Sequence, residues 1–94
     1  MRRRVLAEYG DFPIADVEPT FYIPDGPREQ GFGADTEVMV VAGEPFGLNE
    51  IHSIRGVQMK ITRISDYDEL RGRCSRAPRL IRPQFFSFYF AELV

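Results

Sequence analysis

Residues 85–94 read Phe-Phe-Ser-Phe-Tyr-Phe-Ala-Glu-Leu-Val, and this stretch decides the fold class. Aromatic residues favour strands, and successive side chains of a strand point to opposite faces. One face would carry Phe86, Phe88 and Phe90, and the other Phe85, Ser87, Tyr89 and Ala91. A strand that is apolar on both faces has to be covered on both. We therefore predict a central strand over Phe85 to Val94. Its second face would be covered either by the helix and loops of this chain or, in part, by another subunit, since interfaces favour aromatic residues and arginine.

The segments before this strand also carry strand patterns. Glu37 to Ala42 is nearly all apolar, which predicts a strand buried on both faces. Thr20 to Ile23 lies between two prolines and predicts a short edge strand. Val5 to Tyr9 is a weaker candidate for a first strand.

The longest strand candidate runs from Ile51 to Ser65. Apolar and polar residues alternate over residues 57–62, and the alternation slips at Arg63-Ile64, which predicts a β-bulge. Gly56 predicts either a bend or a split from Ile51–Arg55.

A short helix is predicted over Ser65 to Gly72. Asp66 and Glu69 have the spacing of a capping box, and Gly72 suits a helix C-terminus.

Five or so short strands with one short helix predict a mainly β fold, a small antiparallel sandwich or barrel. The 94 residues predict a single domain, 1–94, with a flexible loop at about 24–36 and an arginine- and proline-rich stretch at 73–83. In that loop, Pro24-Asp25-Gly26 predicts a turn in which the aspartate bonds its own backbone.

Charge is distributed unevenly along the chain. The net charge is −2, but residues 11–50 carry nine acids against one arginine and residues 51–94 carry eight bases against four acids. Such asymmetry bears on partners and association and not on the fold. Eleven of the twelve basic residues are arginines, and Lys60 is the exception.

The arginine-rich stretch is the main candidate binding site. Its members are Arg71, Arg73, Arg76, Arg79 and Arg82. The last three recur at every third residue, so a polyproline II conformation would place them on one edge. The planar guanidinium group of arginine binds carboxylates and phosphates through paired N–H donors. The alternative is a solvated loop that balances the acidic half of the chain. Nucleic acid is the weaker functional choice because the pI is near 5.3.

Several kinds of site are excluded or disfavoured. One cysteine and one histidine exclude an internal disulfide and any metal site built from several such ligands, so no metal or other cofactor is expected. Glu50 and His52 would share a strand face, as a catalytic base and its carboxylate do, but Ser53 would face the other way. Cys74 lies near Arg73 and Arg76, which could lower the pKa of its thiol. We expect no catalytic residues.

These features favour a non-enzymatic assembly subunit that binds other protein subunits, either copies of itself or members of a larger complex. Small β-rich accessory proteins of viral particles, such as connector or decoration subunits of bacteriophages, resemble it in kind. The alternatives are an inhibitor or adaptor that docks its arginines on an acidic or phosphate-bearing partner, and a small hydrolytic enzyme using Glu50 and His52.

No apolar run reaches the ~20 residues of a membrane helix, and Arg2–Arg4 are not followed by the apolar segment of a secretory signal. We therefore expect the protein in the cytoplasm, or in a particle assembled there, without a membrane partner.

Overall fold

The computed structural model describes residues 18–26 and 33–94, and the structural statements below concern these residues. Five antiparallel strands form one curled half-barrel sheet. They are β1 (Thr20–Tyr22), β2 (Glu37–Ala42), β3 (Ile51–Ile54), β4 (Val57–Ser65) and β5 (Ser87–Leu93). Helix α1 (Tyr67–Arg73) and the 3-10 helix η1 (Pro83–Phe85) lie between β4 and β5 along the chain. The predicted mainly β fold with a short helix is confirmed.

Strand β5 is the central strand, as its sequence predicts. The order across the sheet is β1-β2-β5-β4-β3, and β1 is an edge strand, also as predicted. The predicted start of β5 is wrong, however, because the strand begins at Ser87 and not at Phe85. Pro83 opens η1, and the Phe86 amide donates to the Pro83 carbonyl at 3.0 Å. That turn takes Phe85 out of the sheet and leaves its side chain 49% exposed.

Each face of the sheet carries its own hydrophobic cluster. Strands β2 and β5 contribute to both clusters, because their alternate side chains are buried on opposite faces. The cluster under α1 contains Met39, Val41, Leu70, Cys74, Ala77, Leu80, Phe88 and Phe90. The cluster on the other face contains Val38, Val40, Ile54, Met59, Ile61, Tyr89 and Ala91. The predicted burial of β2 and β5 on both faces is confirmed.

A tight hairpin joins β3 to β4. Ile54 pairs with Val57, which leaves Arg55 and Gly56 as the two-residue turn. Their φ angles are 53° and 81°, and two-residue hairpins of type I′ require positive φ at both positions. Gly56 therefore splits the long strand candidate into two strands. The predicted bulge is also present, as a register shift between Ile61 and Arg63.

Helix α1 begins at the predicted capping residue. An Asp66 carboxylate oxygen accepts a hydrogen bond from the Glu69 amide at 2.8 Å. The reciprocal half of the capping box is replaced, because the Glu69 carboxylate accepts from the Ser65 hydroxyl at 2.9 Å. The helix ends at Arg73, one residue beyond the predicted Gly72. Cys74 follows it and is 2% exposed within the cluster under α1, so it is a core residue and not an accessible thiol.

The turn after β1 is attached to the residues that follow α1. The Asp25 carboxylate accepts hydrogen bonds from the Ser75 amide at 3.1 Å and from the Ser75 hydroxyl at 3.0 Å. The Asp25 amide donates to the Arg73 carbonyl at 2.8 Å. Asp25 therefore joins the turn to the segment after α1. The predicted bond from the aspartate to its own backbone would involve residues after Gly26 that the structure does not describe, so it stays a prediction. Residues 27–32 of the predicted flexible loop, and the strand candidate Val5–Tyr9, lie outside the described residues.

Candidate functional site

An open groove of about 820 Å³ lies at the end of the sheet where β4 finishes and β5 begins. Four parts of the chain form it: the loop after β2, the end of β4 with the start of α1, η1 and the residue after it, and the start of β5. Its lining residues are Pro45, Phe46, Ile64, Ser65, Asp66, Tyr67, Asp68, Pro83, Gln84, Phe86, Ser87, Phe88 and Tyr89. The lining is mainly apolar and aromatic, with the two aspartates at one side.

Large apolar side chains are exposed in and beside this groove. Ile64 is 67% exposed and lines it, while Ile81 and Phe85 are 65% and 49% exposed and flank the lining residues Pro83 and Gln84 along the chain. Ile64 is uncovered because the pairing of β3 with β4 stops at Lys60, so β4 extends past its neighbour. The bulge after Ile61 places Ile64 opposite Tyr89. The slip in the alternation predicts this bulge but not a binding site, whereas the aromatic residues of the C-terminal stretch contribute Phe86, Phe88 and Tyr89 to the groove.

A tyrosine connects the groove to the arginine-rich stretch. The Tyr67 hydroxyl oxygen accepts a hydrogen bond from the Leu80 amide at 2.7 Å. The Tyr67 ring also packs against Phe88, with ring centroids 5.8 Å apart. Because Leu80 itself is buried, the chain on either side of it is held next to the groove wall. No local pattern in the sequence indicates Tyr67, since this contact joins residues on separate elements.

The structure divides the five predicted binding arginines into two groups. Arg73 is engaged within the fold, since its guanidinium lies 3.2 Å from a Glu37 carboxylate oxygen. Arg71 is half-buried on α1. The side chains of the remaining three are exposed: Arg76, Arg79 and Arg82.

Buried residues between the exposed arginines determine which side chains of this segment face solvent. Ala77 and Leu80 are buried at the same spacing of three, so the intervening arginines are left at the surface. In the described part of the chain, Arg76, Arg79 and Arg82 form no ion pair. Arg82 lies over the Phe85 ring, 5.7 Å from its centroid. The exposed three are therefore the arginines that remain available to a partner.

The Glu50 and His52 side chains meet, as their spacing predicts. His52 Nε2 lies 3.1 Å from Glu50 Oε1, and the Phe46 ring stacks on the imidazole with centroids 4.3 Å apart. The Gly47 amide donates to Glu50 Oε1 at 3.2 Å, and the Phe46 amide donates to the Tyr89 hydroxyl at 2.9 Å. These contacts hold the loop after β2 in place, and that loop forms one wall of the groove.

Neither of the two nucleophiles considered for this pair, Ser53 and Cys74, lies beside His52. Ser53 lies on the opposite face of β3 from His52, and Cys74 is buried in the cluster under α1. Among residues 18–26 and 33–94, no three His, Cys, Asp or Glu side chains cluster closely enough to hold a metal ion. In the same residues, no helix is both long enough and apolar enough to cross a membrane.

Comparison with models of protein families, with curated proteins and with solved structures finds no match for this chain.

Proposed function

We propose that this protein is a non-enzymatic subunit that binds other protein subunits through the groove. The proposal rests on the exposure of Ile64 in a groove that five aromatic side chains line. Protein interfaces are enriched in aromatic residues and arginine and depleted in lysine and glutamate at their centre. The aromatic residues of the groove and the arginines at its border match this composition, whereas the groove also contains Asp66 and Asp68. An accessory subunit of a particle, such as a connector or decoration protein, would use such a face in the cytoplasm or in a particle assembled there.

Site-specific photocrosslinking tests this proposal in the cells that make the protein. A photoreactive benzoylphenylalanine replaces Ile64 in one variant and Ile51 in a matched control. Ile51 is exposed to a similar extent, 58%, but is not among the residues that line the groove. We expect protein adducts from position 64 and few from position 51. Equal yields at the two positions, or none at position 64, would contradict the proposal.

The second candidate is an inhibitor or adaptor that docks its arginines on an acidic or phosphate-bearing partner. The observation that favours it is the exposure of Arg76, Arg79 and Arg82 without ion pairs in the described residues. Replacing all three with alanine should abolish capture of such a partner, whereas replacing the exposed Lys60 should leave capture unchanged. Capture that survives the triple substitution would exclude this candidate.

We do not propose hydrolysis. The Glu50–His52 contact is accounted for by the loop that it holds, and the described residues place neither Ser53 nor Cys74 beside the imidazole. A hydrolytic site needs a nucleophile or an activated water within reach of its base.

A further inference from the structure

We propose that a second copy of this chain occupies the groove, in a two-fold dimer in which Ile81 of each copy enters the groove of the other. This inference rests on the proposed function, since it names the partner of the same groove. A two-fold interface uses the same surface on both copies, so that surface has to be complementary to itself. The groove and its border carry both complementary parts.

The first complementary pair is apolar. Ile81 is 65% exposed and lies two residues before Pro83, which lines the groove. Since consecutive Cα atoms are 3.8 Å apart, Ile81 lies within about 8 Å of Pro83. The exposed Ile81 side chain therefore starts from a position close to the edge of the groove. When the side chain and the groove that receives it lie close together, two copies can bind each other as a closed dimer. If they lay at opposite ends of the molecule, the same contact would produce open chains.

The second complementary pair is ionic. Asp66 and Asp68 lie on either side of Tyr67 and are exposed, and Arg79 is exposed beside Leu80. The hydrogen bond from the Leu80 amide to the Tyr67 hydroxyl, at 2.7 Å, brings these two segments together. Arg82 extends the basic side towards η1.

These opposite charges do not neutralise one another within one copy. Among the described residues, neither aspartate forms an ion pair with Arg79 or Arg82. A two-fold axis through the groove would bring the aspartates of each copy to the arginines of the other, and so would form the contact twice. Complementary potentials of this kind fix the register of an interface.

Sedimentation equilibrium of the purified full chain tests the apolar contact. The wild-type mass should rise with concentration and stop at two chains. Ile81→Asp places a charge in the groove and should leave a monomer, whereas Ile51→Asp, which changes an isoleucine of similar exposure outside the groove, should leave the dimer intact. Circular dichroism checks that both variants are folded.

A charge exchange tests the ionic contact. Arg82→Asp and Asp68→Arg, each alone, place like charges opposite each other twice and should raise the dimer dissociation constant by about a hundredfold or more. An equimolar mixture of the two variants should recover association as a heterodimer, because every contact then joins opposite charges. The Arg82 side chain makes no capping hydrogen bond to η1, so its replacement leaves that turn its backbone bonds.

Three results would overturn the dimer: a wild-type chain that stays monomeric at millimolar concentration, a mass that grows past two chains, or single charge variants that associate like the wild type. The photocrosslinks separate this failure from failure of the proposed function. Adducts from position 64 to a different protein would preserve the function and exclude the second copy. Absence of any adduct there would contradict the function itself.

Discussion

Tyr22 carries a buried polar atom that has no partner in the described part of the chain. Its hydroxyl is buried and without a hydrogen bond, although the rest of the side chain is only half-buried against the cluster under α1. Burial raises the pKa of Tyr22 to about 12, and the nearby Arg55 guanidinium opposes part of that rise. A buried hydroxyl without a partner costs free energy on folding, because it loses its bonds to water and gains none.

Tyr22→Phe should therefore raise the free energy of unfolding, by about 1 kcal/mol. The matched control is Tyr89→Phe, which removes a hydroxyl that accepts from the Phe46 amide at 2.9 Å. That control should lower the free energy of unfolding by about 1 kcal/mol. Urea denaturation at pH 7 measures both. A loss of stability in Tyr22→Phe equal to that in the control would show that the Tyr22 hydroxyl has a partner.

Because the Tyr22 hydroxyl is buried, we expect the stability of the protein to depend on pH in the alkaline range. The folded pKa of about 12 lies above the ordinary tyrosine pKa of 10.0, so the unfolded chain loses this proton first as the pH rises. Ionisation of this group therefore leaves the free energy of unfolding unchanged below pH 10 and lowers it between pH 10 and about 12. Over that range the stability of the wild type should fall more steeply than that of Tyr22→Phe. Parallel curves for the two proteins would contradict the assignment.

Two glycines with the same open surroundings should respond in opposite directions to alanine. Nothing lies within 4 Å of a Cβ built at Gly56 or at Gly72, so neither substitution creates a clash. Gly56 has a φ of 81° in the hairpin, where an L side chain is strained, whereas Gly72 lies inside α1. Backbone conformation alone therefore decides the outcome.

Gly56→Ala should lower the free energy of unfolding by about 1–2 kcal/mol. Gly72→Ala should raise it by about 0.5–1 kcal/mol, because alanine restricts the unfolded chain and favours helix. Thermal unfolding followed by circular dichroism measures both. Effects of the same sign would show that the hairpin or the helix differs from the structure described.

The sequence predicts the elements well where the pattern is local. The alternation over 57–61, the slip at Arg63-Ile64 and the Asp66–Glu69 spacing each depend on neighbours in the chain, and the structure confirms all three. The hairpin turn was only half predicted. Gly56 marks it, but asparagine is the usual residue before such a glycine, and here Arg55 takes that position with a φ of 53°.

The candidate site was less predictable because it depends on contacts between distant segments. The five arginines form one run in the sequence, yet Glu37 on β2 engages Arg73, and Arg71 is half-buried on α1. The other three are exposed and form no ion pair among the described residues. The groove unites residues from Pro45 to Tyr89, and no local pattern shows that these lie together. Whether the exposed arginines bind a partner stays a prediction.

At the scale of the molecule, Arg55 joins the two edges of the sheet. Strands β1 and β3 are the edges of the sheet, and the curl brings the β3–β4 turn to the start of β1. Arg55 Nε donates to the Thr20 hydroxyl at 3.1 Å, and Arg55 Nη1 lies 3.7 Å from a Glu18 carboxylate oxygen. Thr20 is 5% exposed, so its hydroxyl depends on this contact more than a surface group would.

A double-mutant cycle on Thr20→Val and Arg55→Asn should measure the coupling free energy of this contact between the two sheet edges, which we call the closure. Asparagine tolerates the positive φ of the turn but cannot reach as far as arginine. We expect a coupling free energy of about 1 kcal/mol from urea denaturation. The exposed Arg63–Glu69 pair, with a separation of 3.4 Å, serves as the control and should couple by less, about 0.5 kcal/mol. Equal coupling in the two cycles would mean that the closure is no stronger than a surface ion pair.

The place of β5 in the sheet has a consequence for synthesis on the ribosome. β5 pairs with β2 on one side and β4 on the other, and it leaves the ribosome after both. Until then the β1–β2 pair and the β3–β4 hairpin have no shared partner, and the apolar faces of both stay open to chaperones or to other nascent chains. The sheet of the described residues is thus joined only when β5 inserts between the β1–β2 pair and the β3–β4 hairpin. A chain cut short before Ser87 would lack the strand that contributes to both hydrophobic clusters.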